Sequence, residues 1–126
     1  MYVRFVVGTE AERVSRLTGV IITAGDLRYE GVLYAHELAW LDQAIAWFNE
    51  HLPCPPFRRK LRTGEWSEHA VCWFRDDAKE PLGHLWDIIT ILKEHGVPVR
   101  LVVRRRPGRI VYFDRYQVVA EPFHRG

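Results

Sequence analysis

The chain has 126 residues, 48% of them hydrophobic and 13% aromatic, which is enough for one core but short for two ordinary domains. We therefore predict a single domain over residues 1–126. The formal net charge is only +2 at pH 7, so overall charge does not single out nucleic acid or membrane as a partner. The first residues lack a secretory signal, no apolar run approaches a membrane span, and two cysteines are too few for a disulfide framework, so we expect a soluble, cytoplasmic protein.

In the first half of the chain, side chains first alternate as in a strand, and apolar residues then recur at helical spacing. Residues 2–7 alternate around Val3, Phe5 and Val7, which predicts a first strand. Thr9 and Glu12 fit a capping box, so a helix is predicted to begin there. A longer helix is predicted after Val32 and before Pro53. Its apolar stripe consists of Leu38, Leu41, Ile45, Phe48 and Leu52.

The middle of the chain is irregular before the next helix. The segment from Pro53 to Glu68 contains three prolines and a basic run, which predicts a long surface loop. Val71 to Phe74 are predicted to form a short turn that Ser67 caps. A helix follows from Leu82, carried by Leu85, Ile89 and Leu92, and it ends near Gly96.

The last quarter of the chain predicts three consecutive strands. Val99, Leu101 and Val103 are predicted to face the core, because they alternate with Arg100, Val102 and Arg104. Pro107 and Gly108 suit a turn, since proline presets φ and glycine accepts a positive φ. Two further strands follow, one over residues 110–113 and one over residues 116–121.

Together these elements predict an α+β fold. We expect a small, mostly antiparallel sheet, made of the N-terminal strand and a C-terminal three-stranded meander, covered on one face by about three helices. The five tryptophans are predicted to lie mostly in the core between helices and sheet, because each can bury a large area. An aromatic cage for a ligand is the alternative interpretation.

A repeated His-x-x-Cys pattern is the clearest metal candidate. His51 and Cys54 are followed, after fourteen residues, by His69 and Cys72. Two such pairs can offer four nitrogen and sulfur ligands to zinc, but the order departs from the common zinc motifs. Free cysteines are usually buried, and Cys72 is followed by Trp73 and Phe74. We therefore predict neither a metal site nor a cofactor.

Nine cations form what we call the basic patch. One group lies in the Pro53 to Glu68 segment and the other surrounds the Pro107 turn. The members are Arg58, Arg59, Lys60, Arg62, Arg100, Arg104, Arg105, Arg106 and Arg109. Guanidinium groups suit carboxylates and phosphates because their planar forks make paired hydrogen bonds. If the two groups fold side by side, they share one surface, with Trp66 or Tyr112 to stack on bases. The alternative is that these arginines only prevent pairing of an exposed strand edge.

The sequence carries no firm catalytic motif. Asp76, Asp77 and Glu80 lie close together and can bind magnesium or act as acid and base, but helix capping also explains them. Cys72 near His69 is a nucleophile-and-base candidate with no sign of a lowered thiol pKa. We predict no catalytic residue.

Three functional hypotheses follow from these features. The first is a non-enzymatic interaction or regulatory module that binds an acidic partner protein, or a second copy of the chain, through the basic patch. The second is a nucleic-acid-binding protein that uses the same arginines on phosphates. The third is a small hydrolase or nuclease, which requires a concave site where polar groups converge.

Overall fold

A computed structural model describes residues 1–7 and 20–123, and these form five strands and four helices. The elements are β1 (Tyr2–Val7), α1 (Val20–Glu30), α2 (Ala35–His51), α3 (Phe57–Arg62), β2 (Val71–Arg75), α4 (Lys79–Glu94), β3 (Val99–Arg104), β4 (Arg109–Phe113) and β5 (Gln117–Glu121). The predicted α+β fold is confirmed. The predicted capping box of Thr9 and Glu12 lies outside the described residues. None of the helices in the described ranges is long and apolar enough to cross a lipid bilayer.

The strands form one antiparallel sheet in the order β3-β1-β2-β5-β4. The predicted N-terminal strand and all three C-terminal strands are present. β4 and β5 pair as a hairpin, whereas β3 pairs with β1 along its whole length, from Val7 opposite Val99 to Tyr2 opposite Arg104.

The central strand β2 replaces a predicted turn. The prediction of a short turn through Val71 to Phe74 is wrong, because this segment pairs with β1 on one side and with β5 on the other. Valine, tryptophan and phenylalanine favour strands when neighbours cover both faces. Such burial on both faces hides the alternation that normally reveals a strand in sequence.

A short link between the two edge strands forces the sheet to curl. Four residues join Arg104 to Arg109, and this link spans at most about 18 Å. Flat packing of five strands would separate β3 from β4 by about 19 Å. In addition, β3 ends beside Tyr2, whereas β4 begins opposite Glu121, towards the other end of the sheet. A four-residue link cannot cover both the width of a flat sheet and the distance along its strands. The two edges must therefore bend towards each other.

The concave face of the curled sheet encloses a cluster of its own side chains. The members are Val6, Trp73, Val102, Val118 and Ala120, all of which are buried. The register places them on one face, since Trp73 is opposite Val118 and Val102 is opposite Arg4. The guanidinium carbon of Arg4 lies 5.3 Å from the centre of the Trp73 ring, which adds a cation–π contact at the edge of this cluster.

Three helices cover the opposite, convex face. α1, α2 and α4 pack on it around Leu41, Phe48, Ile88 and Leu92. Phe5, Val7, Phe74 and Val99 meet this cluster from the sheet. The predicted stripe of α2 therefore faces the sheet and α4, as helical spacing requires.

The predicted inward face of β3 is wrong. Leu101 and Val103 are 44% and 38% exposed, whereas Val102 is only 7% exposed. β3 is an edge strand whose concave side is closed by the curl of the sheet. Its convex side extends past the helices, so Val102 takes the buried position.

Only part of the tryptophan prediction is met in this fold. Trp66 and Trp73 are buried, but Trp40 and Trp86 are about half exposed. Trp47 is half-buried and contacts the rings of Phe48 and His84. Two of the five large aromatic side chains therefore contribute to the surface rather than to the core.

A buried carboxylate connects the start of α2 to the end of α4. Glu37 is 0% exposed. Its Oε1 accepts a hydrogen bond from the Tyr34 backbone N–H (2.9 Å) and lies 2.8 Å from Nε2 of His95. The bond to His95 holds the pKa of Glu37 below its usual value of 4.5, although burial acts in the opposite direction. Its second oxygen, Oε2, has no hydrogen-bond partner within the described part of the chain.

We predict that this pair makes stability fall at acid pH. Because the pKa of Glu37 is lowered on folding, its contribution is present above about pH 4.5 and is lost as pH falls through the folded value. Glu37→Gln should lower the free energy of unfolding by about 2 kcal/mol at pH 7 and flatten the acid limb of the profile. Urea unfolding at a series of pH values measures both effects. The exposed control Glu30→Gln should keep the wild-type profile; an unchanged acid limb in Glu37→Gln would contradict the assignment.

Candidate functional site

The segment from Pro53 to Glu68, which we call the α3 segment, is anchored on the β4–β5 hairpin. The sequence predicted a loop throughout, which is wrong in its middle, where α3 forms. Trp66 is buried against the rings of Phe57 (5.3 Å between centroids) and Tyr112 (6.2 Å). These aromatics form a third core cluster with Val119 of β5. Trp66 is therefore not free to stack on bases, contrary to the expectation from sequence.

A buried amide holds the start of this segment on the sheet. Gln117 is 2% exposed. Its Nε2 donates to the carbonyl of Pro53 (2.6 Å) and to Oδ2 of Asp114 (3.0 Å), and its Oε1 accepts from the Cys72 thiol (3.1 Å). Tyr112 donates its hydroxyl hydrogen to the same Asp114 oxygen (2.7 Å). Both ends of the Gln117 side chain are thus satisfied, as a buried polar group requires.

Burial keeps the Cys72 thiol protonated at neutral pH. Burial raises the pKa of Cys72 to about 12, and burial followed by the bond to Asp114 raises the pKa of Tyr112 to about 12. A thiol that stays protonated is a poor nucleophile and a poor metal ligand. The pairing of Cys72 with His69 as nucleophile and base therefore has no support in this geometry.

The four His-x-x-Cys residues do not come together as one site. His51 contacts the Trp47 ring (5.1 Å), Cys54 is exposed, and His69 is exposed beside Glu68. Within residues 1–7 and 20–123, no three His, Cys, Asp or Glu side chains come close enough to hold a metal ion. Packing and surface contacts account for these four residues.

Glu121 joins the two halves of the basic patch. Its Oε2 accepts a hydrogen bond from the Ser67 N–H (2.6 Å), and its Oε1 pairs with the guanidinium of Arg109. The bond to Arg109, followed by that from Ser67, holds the pKa of Glu121 below its usual range. The end of the α3 segment and the start of β4 therefore share one carboxylate.

Gly108 permits this meeting. Its φ is +144°, and a Cβ added there would lie 2.1 Å from the backbone oxygen of Glu121. Only glycine allows such a close approach of two backbones. The link that carries Arg105 and Arg106 is thus pressed against the end of β5.

The nine cations of the basic patch form three groups. Arg58, Arg59 and Arg62 are exposed on α3, where Lys60 pairs with Glu65 (2.5 Å). Arg105, Arg106 and Arg109 follow the link to β4 and are also exposed. Arg100 and Arg104 lie on β3, at the other end of the strand order, and Arg104 donates to the Val103 carbonyl (2.9 Å). The contact through Glu121 joins the segments that carry the first two groups.

The acidic group beside α4 is used in ion pairs. Asp76 lies 3.5 Å from the amino group of Met1, and Asp77 lies 3.2 Å from Arg75. The N-cap of α4 is Ala78, which makes no side-chain capping bond, so the predicted capping box of Asp77 and Glu80 is wrong. Asp77 and Glu80 line an open depression of about 380 Å³ together with cations that include Arg75 and Arg115. Mixed charges at this depression do not resemble a metal or acid–base centre.

A groove between α2 and α4 was not identified from the sequence. It has a volume of about 430 Å³, and its lining residues are Trp40, Gln43, Ala44, His84, Asp87 and Thr90. The sequence predicted that the tryptophans lie mostly in the core, and helical spacing alone could not show which side of α2 remained open. Trp40 and Gln43 are three residues apart on α2, and His84 and Asp87 are three residues apart on α4. Each pair therefore lies on one face of its helix.

We predict that removing the buried amide loosens the α3 segment. Gln117→Ala should lower the free energy of unfolding by about 2 kcal/mol, because Asp114, Cys72 and the Pro53 carbonyl lose their shared partner. Urea unfolding and limited proteolysis measure the change, and new cleavage is expected between Pro53 and Glu68. The exposed control Asn49→Ala should stay within about 0.5 kcal/mol of the wild type. Equal protease resistance in both variants would show that Gln117 does not anchor the segment.

We also predict that the close approach at Gly108 tolerates no side chain. Gly108→Ala should destabilise the fold by about 3 kcal/mol, through the positive φ and the clash with Glu121. Gly83→Ala is the matched control, since Gly83 lies inside α4 with nothing near its added Cβ. It should be neutral or stabilising by up to about 1 kcal/mol. Thermal unfolding of the two variants distinguishes them, and similar midpoints would contradict the close approach of Gly108 to Glu121.

Neither the sequence nor the fold resembles a known protein in three comparisons. No protein-family model, no curated protein and no solved structure matches the chain. The fold and the surfaces described above therefore provide the basis on which a function can be inferred.

Proposed function

We propose that this protein is a non-enzymatic interaction module that binds an acidic segment of a partner protein through the basic patch. The observation that supports this best is the double contact of Glu121 with Ser67 and Arg109. It brings the cations of α3 and those of the link towards one end of the sheet. The binding surface would consist of Arg58, Arg59, Arg62, Arg105 and Arg106, with Arg109 at its centre.

The exposure of these arginines favours binding to carboxylates. Arg58, Arg59, Arg62, Arg105 and Arg106 are exposed. None of the five forms an ion pair with a side chain in residues 1–7 or 20–123. An exposed guanidinium can pair with a carboxylate through two parallel hydrogen bonds, as Arg75 does with Asp77 in this chain.

The surroundings of the patch favour protein over nucleic acid. Trp66 is buried, and the Tyr112 ring packs against it in the third core cluster, so neither aromatic expected to stack on bases is free for it. Glu65 and Glu121 lie among the cations and weaken the field that a phosphate backbone would need. Discrete arginine forks among acidic residues suit a partner whose carboxylates are also spaced apart.

The chemistry of the other polar groups does not favour catalysis. Partial burial raises the pKa of the Cys72 thiol, and Asp76 and Asp77 are in ion pairs. A protonated thiol and paired carboxylates do not suit a nucleophile or an acid–base pair, so a hydrolase or nuclease is not proposed.

A fluorescence-anisotropy titration with labelled decaglutamate tests the proposal. The double variants Arg58→Gln/Arg62→Gln and Arg105→Gln/Arg106→Gln should each weaken binding by roughly fivefold, since each removes two charge-assisted contacts. Lys79→Gln/Lys93→Gln removes the same charge from α4 and should change the affinity by less than about twofold.

The same titration with single-stranded DNA of equal charge separates the two partner classes. We expect weaker binding to the DNA than to decaglutamate at physiological ionic strength. Tighter DNA binding with a steep dependence on salt would favour the nucleic-acid hypothesis, because each phosphate contact releases counterions. Equal loss of decaglutamate binding in the α4 control would contradict a localised patch.

A further inference from the structure

The groove between α2 and α4 lies apart from the basic patch. Trp40 of α2 is 48% exposed and forms one wall, while His84, Asp87 and Thr90 of α4 form the other. Ala44 lies between them and is 1% exposed, so its short side chain leaves the space open. The volume of about 430 Å³ falls in the range of small-molecule sites, which combine apolar surface with a few polar groups.

Contacts outside the groove hold both walls in place. His36 contacts Trp40 edge to face at 5.0 Å, and Trp47 stacks on His84 with ring centroids 4.8 Å apart. Thr90 donates its hydroxyl hydrogen to the carbonyl of Trp86 (2.9 Å), one turn earlier in α4. The walls are therefore already ordered, which reduces the entropy lost when a ligand binds.

The charge of the lining selects the kind of ligand. Within the described residues, Asp87 is the only Asp, Glu, Lys or Arg that lines the groove. The face of a tryptophan ring also attracts cations, because its π-electrons carry negative charge. A carboxylate and a half-exposed indole on facing walls attract the same sign of charge, and Gln43 can accept a further hydrogen bond.

We propose that this groove binds a small organic cation, with an ammonium group between Asp87 and Trp40 and an apolar body over Ala44. An anionic ligand would be repelled by Asp87 and would find no cation among the lining residues in this part of the chain. A neutral apolar ligand would leave the carboxylate without a partner and would have to displace its hydration. The site requires nothing from the basic patch, so it can exist whether or not that patch binds an acidic partner.

Isothermal titration calorimetry with phenethylammonium, tetramethylammonium and the neutral analogue phenethyl alcohol tests this site. We expect saturable binding of at least one cation and none of the alcohol at the same concentrations. Asp87→Asn should weaken cation binding by about tenfold, through loss of the paired charge. Trp40→Ala should weaken it by about fivefold, through loss of the cation–π contact.

Two matched controls distinguish loss of the site from loss of the fold. Asp26→Asn removes an exposed carboxylate from α1, and Trp86→Ala removes the other half-exposed tryptophan, which does not line the groove. Both should bind the cation as the wild type does. The proposal is overturned if neither cation binds, if phenethyl alcohol binds as tightly, or if Asp26→Asn weakens binding as much as Asp87→Asn.

Discussion

The short link between β3 and β4 is the constraint on which the rest of the structure depends. Four residues must connect the two edges of a five-stranded sheet, and they can do so only if the sheet curls. Curling closes the concave face over Trp73 and Val118 without any helix. The three larger helices are therefore left to cover only the convex face. The same link carries Arg105 and Arg106, two of the arginines that we assign to binding.

The curl also explains why two distant parts of the chain share one functional surface. Gly108 is pressed against Glu121, whose carboxylate binds both Ser67 and Arg109. Gln117 fixes the other end of the α3 segment through the Pro53 carbonyl. A segment that sequence alone describes as irregular is therefore held at both ends by buried or half-buried polar groups of β5. Such anchoring limits the entropy that its arginines would lose on binding a partner.

Local patterns predicted those elements that have one buried and one exposed face. The α2 stripe around Leu41 and Phe48 and the helix around Leu85 and Ile89 are where the sequence predicts them, and so is β1. β2 was missed because both of its faces are covered, whereas the buried face of β3 was mistaken because the curl buries its concave side and leaves its convex side exposed. Alternation predicts that Leu101 and Val103 face the core, but closure of the sheet buries Val102 instead. No local sequence pattern predicts that a sheet curls in this way.

The candidate sites could be predicted only in part, for a similar physical reason. Their charges are visible in the sequence, so the arginine clusters could be named, but the partners that orient them are far away in the chain. Gln117 bonds to Pro53 across sixty-four positions, and Ser67 bonds to Glu121 across fifty-four. The groove beside Trp40 depends on which flank of α2 the neighbouring helix leaves open, and helical spacing does not determine that.

Nuclear Overhauser contacts between backbone protons of the strands and of the β3–β4 link measure the strand order directly. The curled sheet predicts contacts from Val3 to Val103 and from Gly108 to Pro122, because Val3 is opposite Val103 in the β1–β3 pair and Gly108 is pressed against the end of β5. Contacts from Val103 to Ile110, as in a simple hairpin, would contradict the curl. They would also remove the structural basis for joining the α3 cations to those of the link.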